Sequence, residues 1–144
     1  MADGRARLSN RFALSFTALP DHIDENGHVN NAVYLRWMED LSTEHWLRDG
    51  DPAHVAAYAW FVLRHEIDYR GNVREGDQVQ GLTEILDSPS GAKFDRHFTF
   101  TDASGKVLVR AKTTWAMIHT ATGRLMRIPP EVAAPFLPPS PPPQ

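Results

Sequence analysis

The chain contains no cysteine. That absence excludes disulfides, zinc–thiolate centres and a thiol nucleophile. It contains no apolar run near the roughly 20 residues that a bilayer-spanning helix needs. It has no surplus of positive charge: 15 Lys and Arg face 18 Asp and Glu, a net charge of -3. No overall basic field therefore draws it to nucleic acid. It has no Gly-rich phosphate loop, and His22 and His28 lack a partner at zincin spacing, so no bound nucleotide cofactor and no metal is expected. The first residues are polar and basic, without the apolar core of a secretion signal. The expectation is a cytoplasmic protein with neither a membrane nor nucleic acid as partner.

What is present suits one domain. The 144 residues are 42% hydrophobic and 23% charged. That balance builds one core and not two. Residues 1–10 are charged and without a period, and are expected to be flexible. Residues 131–144 include PFLPPSPPPQ. Repeated proline there removes backbone donors and favours a solvated, extended chain, so this tail is expected to be disordered. The folded domain is expected over residues 11–130.

Within that span the pattern reads strand, loop, helix, then a run of strands. RFALSFTAL alternates, with Phe12, Leu14 and Phe16 on one side. Pro20 ends it. In NAVYLRWMEDLSTEHWLRDG, Tyr34, Trp37, Met38, Leu41 and His45 recur at helical spacing. Asn30 is the expected N-cap and Gly50 the expected stop. The apolar face is wide enough that the helix is expected to be mostly enclosed. Four strands follow. The first, YAWFVLRHEIDYR, places Phe61, Leu63, Ile67 and Tyr69 on one face if it alternates without interruption. The third carries Phe94, Phe98 and Phe100 on one side, and the fourth aligns Val107 through Met117 at alternate positions. One long helix needs a surface for its stripe, and a single antiparallel sheet wrapped around it supplies one.

Between the first strand and the helix lies DHIDENGHVNNAVY, with Asp24, Asn26 and His28 at alternate positions. Asp and Asn before a helix also serve as caps and turn-formers. A calcium loop is excluded: His22 stands at its first position, and Val33 where a bidentate Glu is required.

The element order and this loop together resemble the hotdog fold, an α+β architecture with a long central helix wrapped by an antiparallel sheet of about five strands. More closely, residues 10 to 130 resemble the acyl-CoA thioesterases related to 4-hydroxybenzoyl-CoA thioesterase. The carriers are the first strand, the loop, the IDYRGNVREGD turn and the ending TTWAMIHTATGRLMRIP. The segment D-x-N-x-H-x-N-N (Asp24, Asn26, His28, Asn30, Asn31) is similar to the active-site motif of acyl-ACP thioesterases. The resemblance implies hydrolysis of an acyl-CoA, or of an acyl-ACP, with CoA as part of the substrate and no separate cofactor. It implies Asp24 as base or nucleophile, with Asn26 and His28 as catalytic companions. It also implies a homodimer or tetramer, which would close the strand edges that a one-helix, one-sheet protomer leaves open.

The loop chemistry fits. A helix start offers unpaired N–H groups and the positive end of the helix dipole. Donors from His28, Val29, Asn30 and Asn31 are expected to face the thioester oxygen, with Gly27 turning the backbone beneath the substrate. Tyr34, Trp60 and Phe61 are expected to be core residues whose edges line an acyl pocket. Glu66 reads as a solvated or interface carboxylate, and His65 as a packed histidine with its hydrogen bonds satisfied. Arg64, Arg70, Arg74, Lys93, Arg96, Arg110 and Lys112 are the cations available to CoA phosphates, each otherwise a surface charge. Two other functions remain open: an enoyl-CoA hydratase on the same fold, and a non-catalytic binder of acyl-CoA or acyl-ACP.

Overall fold

A computed structural model describes residues 9–139. Strand β1 (Arg11–Thr17) leads through a one-turn 3-10 segment (Pro20–His22) and the polar loop into helix α1 (Asn31–Asp49). A short helix α2 (Pro52–Ala57) precedes strands β2 (Tyr58–Tyr69), β3 (Gln78–Glu84), β4 (Lys93–Thr101) and β5 (Val107–His119). A two-residue strand β6 (Arg124–Leu125) and a helical turn α3 (Pro130–Ala133) complete the order. The sheet runs β1-β3-β4-β5-β2 with every pair antiparallel, and β6 adds to β5. This is the expected curled sheet with one long helix on its face. Among the described residues no helix is long and apolar enough to cross a membrane.

Helix α1 begins and ends for the reasons its sequence carries. Asn30 Oδ1 accepts from the Ala32 N–H at 2.9 Å, and the Gly50 N–H donates to the Trp46 carbonyl at 2.9 Å. A Cβ on Gly50 would lie 2.6 Å from the Trp46 carbonyl oxygen, so the exit admits only glycine without a shift. Asp51 then caps α2, accepting from Ala53 N–H at 2.8 Å, with Pro52 in its first turn. That Asp-Pro pair signals a helix start.

Val33, Tyr34, Trp37, Met38 and Leu41 form the buried stripe of α1. They meet Val79, Phe98, Phe100 and Val109 from the sheet, with Phe12, Leu14 and Phe16 along one flank. Each such side chain contributes about 1.5–3 kcal/mol when fully buried. The helix approaches β3 at Gly81, where an added Cβ would stand 2.7 Å from Phe16 and 3.0 Å from Leu41. A second cluster sits at the other end of α1, built on Phe94, Met117, Ile128, Val132 and Phe136.

Three expectations are corrected. First, α1 is not mostly enclosed: Leu35, Arg36, Glu39 and Asp40 are exposed, because one sheet covers only one face of a helix. Second, β2 does not alternate without interruption. A bulge between Val62 and Arg64 shifts its pairing with β5 by one residue. Trp60 and Val62 therefore share the helix-facing side with His65, Ile67 and Tyr69, while Phe61 and Leu63 face outward, 39% and 46% exposed. Third, the chain beyond residue 130 is not loose over its described part. Val132, Ala133 and Phe136 are buried, held in α3 and a following 3-10 turn (Ala134–Phe136). The apolar residues between the prolines drive that docking. Residues 140–144 of the expected tail, and 1–8 of the expected flexible arm, lie outside the described residues.

A polar cluster is sealed into the C-terminal half of α1. His45 is fully buried. Its Nδ1 accepts from Arg96 Nη1 at 2.8 Å, so the ring proton sits on Nε2, which faces the Ser9 carbonyl at 2.8 Å and Asp49 Oδ2 at 3.3 Å. Burial and then the Arg96 charge push its pKa from 6.5 down to about 4, against the raising pull of Ser9 and Asp49; Arg48 also lowers it. The unfolded chain therefore takes up this proton first as pH falls. Stability from the neutral ring is fully present above pH 6.5 and lost as pH falls from there toward about 4. The loss is on the order of 3 kcal/mol at most. Denaturant titrations across that window are expected to show a slope in the native chain that His45→Gln lacks. Equal slopes would remove His45 as its source.

Candidate active site

The loop before α1 is a closed turn. Ile23 and Val29 form an isolated antiparallel bridge across its neck. The Asp24 N–H donates to the His28 carbonyl at 2.8 Å, and the Gly27 N–H to the Asp24 carbonyl at 3.0 Å. Gly27 has φ of 79°, with nothing within 4 Å of an added Cβ, so the requirement there is conformational and not spatial. Asp24 Oδ1 accepts from the Asn26 N–H at 2.9 Å and the His28 N–H at 3.2 Å. One carboxylate oxygen thus ties the turn, and Oδ2 finds no partner among the described residues. Asp24 and His28 are half-buried, while Asn26 is exposed.

The amides of this segment can be accounted for one by one. Val29 N–H donates to Val73 O at 2.8 Å and Asn30 N–H to His22 O at 2.8 Å. Ala32 N–H is held by Asn30 Oδ1 at 2.9 Å, and Val33 N–H by Asn30 O at 2.9 Å. From Asn26 to Val33, the Asn31 N–H alone has no acceptor among the described residues. It sits in the first turn of α1, at the positive end of the helix dipole. The expectation of several donors between His28 and Asn31 is therefore corrected. The turn that shapes the loop consumes His28, Val29 and Asn30 and leaves one amide.

Asp24, Asn26, Gly27, His28, Val29, Asn30 and Asn31 are brought together in this loop. The Tyr69 hydroxyl donates to the Asn31 carbonyl at 3.3 Å and joins them from β2. Tyr34 lies one turn further, buried against Trp37, Tyr69 and Phe100. Burial and then Tyr69 raise its pKa to about 12, so it stays protonated. Trp60 does not join the loop. It stacks edge-on with Trp46, 15 residues along α1 from Asn31 and so roughly 22 Å away by helix rise. Phe61 faces outward on β2, and its side chain still borders the groove between α1 and β2.

A groove of about 310 Å³ runs between α1 and β2, along Leu35, Met38, Glu39, Val62, His65 and Trp60. His65 Nδ1 lies 2.8 Å from Thr113 Oγ1 and burial lowers its pKa. Only one ring nitrogen is so engaged, and the side chain stays exposed along the groove. Glu66 points to the outer sheet face, between Arg64 at 3.2 Å and Lys112 at 3.1 Å. The Lys112 hydrogen bond, with the Arg64 charge, holds its carboxyl below the usual range. Arg96 is no surface cation: it is 7% exposed, in line with Phe94, Phe98 and Phe100. Alternation from those phenylalanines carried that signal.

The curled sheet, the single long helix and the tied loop at its start define a hotdog-fold protein. A family model described as the thioesterase-like superfamily matches residues 18–136, and the chain belongs to that family. The curated relatives it matches carry thioester-hydrolase names. An acyl-[acyl-carrier-protein] hydrolase of Cuphea viscosissima chloroplasts is 31% identical over 80 residues, covering 55% of this chain and 19% of that protein. A betainyl-CoA thioesterase of Pseudomonas aeruginosa is 26% identical over 93 residues, covering 62% of this chain and 58% of that one. The chain thus spans less than two thirds of either relative. A Staphylococcus aureus protein solved in complex with CoA superposes with a TM-score of 0.78 at 19% identity, over 88% of this chain and 81% of that chain, and so shares the fold.

Asp24 separates structure from chemistry by one atom. Asp24→Asn keeps an acceptor for the Asn26 and His28 amides, whereas Asp24→Ala frees both. Chemical denaturation is expected to show Asp24→Ala destabilised by about 1–2 kcal/mol and Asp24→Asn close to the native chain. Equal losses would mean that Oδ1 does not hold the turn.

Proposed function

We propose that the chain hydrolyses an acyl-CoA thioester to the free acid and CoA. The observation that carries this reading is the pairing of one unsatisfied amide, Asn31 N–H, with one free carboxylate oxygen, Asp24 Oδ2, at the start of a 19-residue helix. The thioester oxygen accepts from Asn31 N–H, with the helix dipole behind it. Asp24 Oδ2 takes a proton from the attacking water, or attacks the carbonyl carbon itself and is freed by water afterwards. The C–O bond forms, the C–S bond breaks, and the thiolate leaves with a proton. His28, whose ring finds no partner among the described residues, and Asn26 stand beside this centre as proton carrier and water-orienting group. CoA enters as part of the substrate, and no separate cofactor is required. A CoA carrier is favoured over ACP by the CoA bound to the Staphylococcus aureus neighbour, while the Cuphea relative acts on the carrier protein.

The test is thiol release over a panel of acyl-CoAs. Asp24→Asn is expected to fold and to lose about 10²–10⁴ in turnover, the usual weight of a positioned base. Undiminished release would remove Asp24 from the chemistry. Loss of enoyl absorbance without thiol release would indicate a hydratase, and tight binding without either a non-catalytic binder.

The functional unit is proposed to be a pair of chains joined along β2. That strand is a sheet edge of 12 residues, bonded on one side only, and it exposes Phe61, Val62 and Leu63. A second copy pairing antiparallel would cover that edge and the open side of the α1/β2 groove. Sedimentation is expected to show a dimer or a multiple of it, and Val62→Lys with Leu63→Lys to give a monomer. A native chain that sediments as a monomer at micromolar concentration would overturn the pairing.

A further inference from the structure

Among the described residues the buried Arg96 has no carboxylate to answer it. Its Nη1 donates to His45 Nδ1 at 2.8 Å and to Thr83 Oγ1 at 3.1 Å, both neutral acceptors. Among the described residues it takes part in no ion pair. Arg48 and Asp49 satisfy each other nearby, at 2.7 Å. With His45 neutral, the cluster holds one cation too many for its anions. Buried cations are ordinarily paired, because an isolated charge loses its hydration without return. Burial lowers the Arg96 pKa to about 9, so it is still charged at neutral pH.

The remaining guanidinium nitrogens have no acceptor among the described residues, yet they are not sealed. Among the described residues, the only fully enclosed side-chain nitrogens or oxygens without a partner are His54 Nδ1 and Trp115 Nε1. Arg96 borders a chamber of about 40 Å³ walled by Trp46, Trp60, Phe94, Trp115 and Phe136. Asp95 also borders it, with its carboxylate held by Thr114 Oγ1 at 2.7 Å. Trp60 and Trp115 line both this chamber and the α1/β2 groove, so the two spaces adjoin. Along α1, Ser42 on the chamber wall stands 11 residues from Asn31, roughly 17 Å by helix rise. That separation matches the reach of an extended acyl chain whose thioester lies at Asn31 and whose far end lies at Arg96. The guanidinium borders the chamber among aromatic walls, while the Trp115 indole N–H is enclosed outside it. An oxygen anion there accepts from the guanidinium and balances its charge.

We infer that the chamber receives the far end of the acyl group and selects a chain ending in a carboxylate, so that the substrate class is the CoA monothioester of an extended dicarboxylic acid. This rests on the hydrolytic reading above.

The test compares two CoA thioesters of equal carbon number, one ending in methyl and one in carboxylate, on the native chain. The carboxylate-ended thioester is expected to show kcat/KM higher by about tenfold or more, the weight of one charge-assisted hydrogen bond. Arg96→Gln is expected to bring the two to near parity. If that variant fails to fold, Arg96→Lys keeps a cation with fewer donors and a shorter reach and is expected to narrow the gap. A methyl-ended thioester that is cleaved as well or better by the native chain overturns the inference. If neither thioester is cleaved, the hydrolytic reading fails and the chamber is judged by tryptophan fluorescence. A saturable change with a straight-chain carboxylate but not with the alcohol of equal length upholds anion selection. Equal responses overturn it.

Discussion

The contact between the α1 stripe and the inner face of the sheet is the constraint from which the rest follows. Trp37, Met38 and Leu41 lie on Val79, Phe98 and Phe100, and the chain comes close enough to need glycine at position 81. A helix fixed in this way has its two ends assigned at once. Its N-terminus is delivered to the loop tied by Asp24 and to Tyr69 at the end of β2. Its C-terminal half is delivered to the chamber, where Trp46 meets Trp60 and Phe136. The proposed reacting centre and the proposed specificity site are thus opposite ends of one rigid rod, and neither can move without unpacking the core between them.

The loop satisfies two demands with the same atoms. A helix start leaves amides that need acceptors, and a thioester oxygen needs amides that are free. Asn30 and Asp24 satisfy the neighbours, through the Asn30 side chain and carbonyl and through Asp24 Oδ1, and Asn31 is left over. Structural capping and the proposed catalysis are therefore not rival explanations of this motif. The cap selects which donor remains, and the carboxylate that ties the turn with one oxygen keeps its second oxygen free among the described residues.

The bulge in β2 has a comparable double effect. It turns His65 and Ile67 toward the helix and Phe61 and Leu63 away from it, so the same strand lines the groove and presents an apolar outer surface at the sheet edge. Because the edge is long and one-sided, the protomer carries an open side just where the groove opens.

Local pattern determined much of this protein. The helix, its Asn30 cap, its Gly50 exit and its buried stripe follow from spacing and from the chemistry of single residues, as does the alternation of β1, β4 and β5. The loop that would carry the chemistry was legible as a motif, because its residues are neighbours in the chain. Tertiary structure decided the rest. The partition of amides that leaves Asn31 free depends on Val73 and His22, which reach the loop only in the fold. The bulge at Leu63 breaks a period that the sequence presents as unbroken. Arg96 and His45 stand 51 residues apart, and their bond, the burial that leaves Arg96 unanswered and the chamber beside it exist only once α1 lies across β4. Periodicity assigns a residue to a face; which charges meet on that face is settled by packing between distant segments.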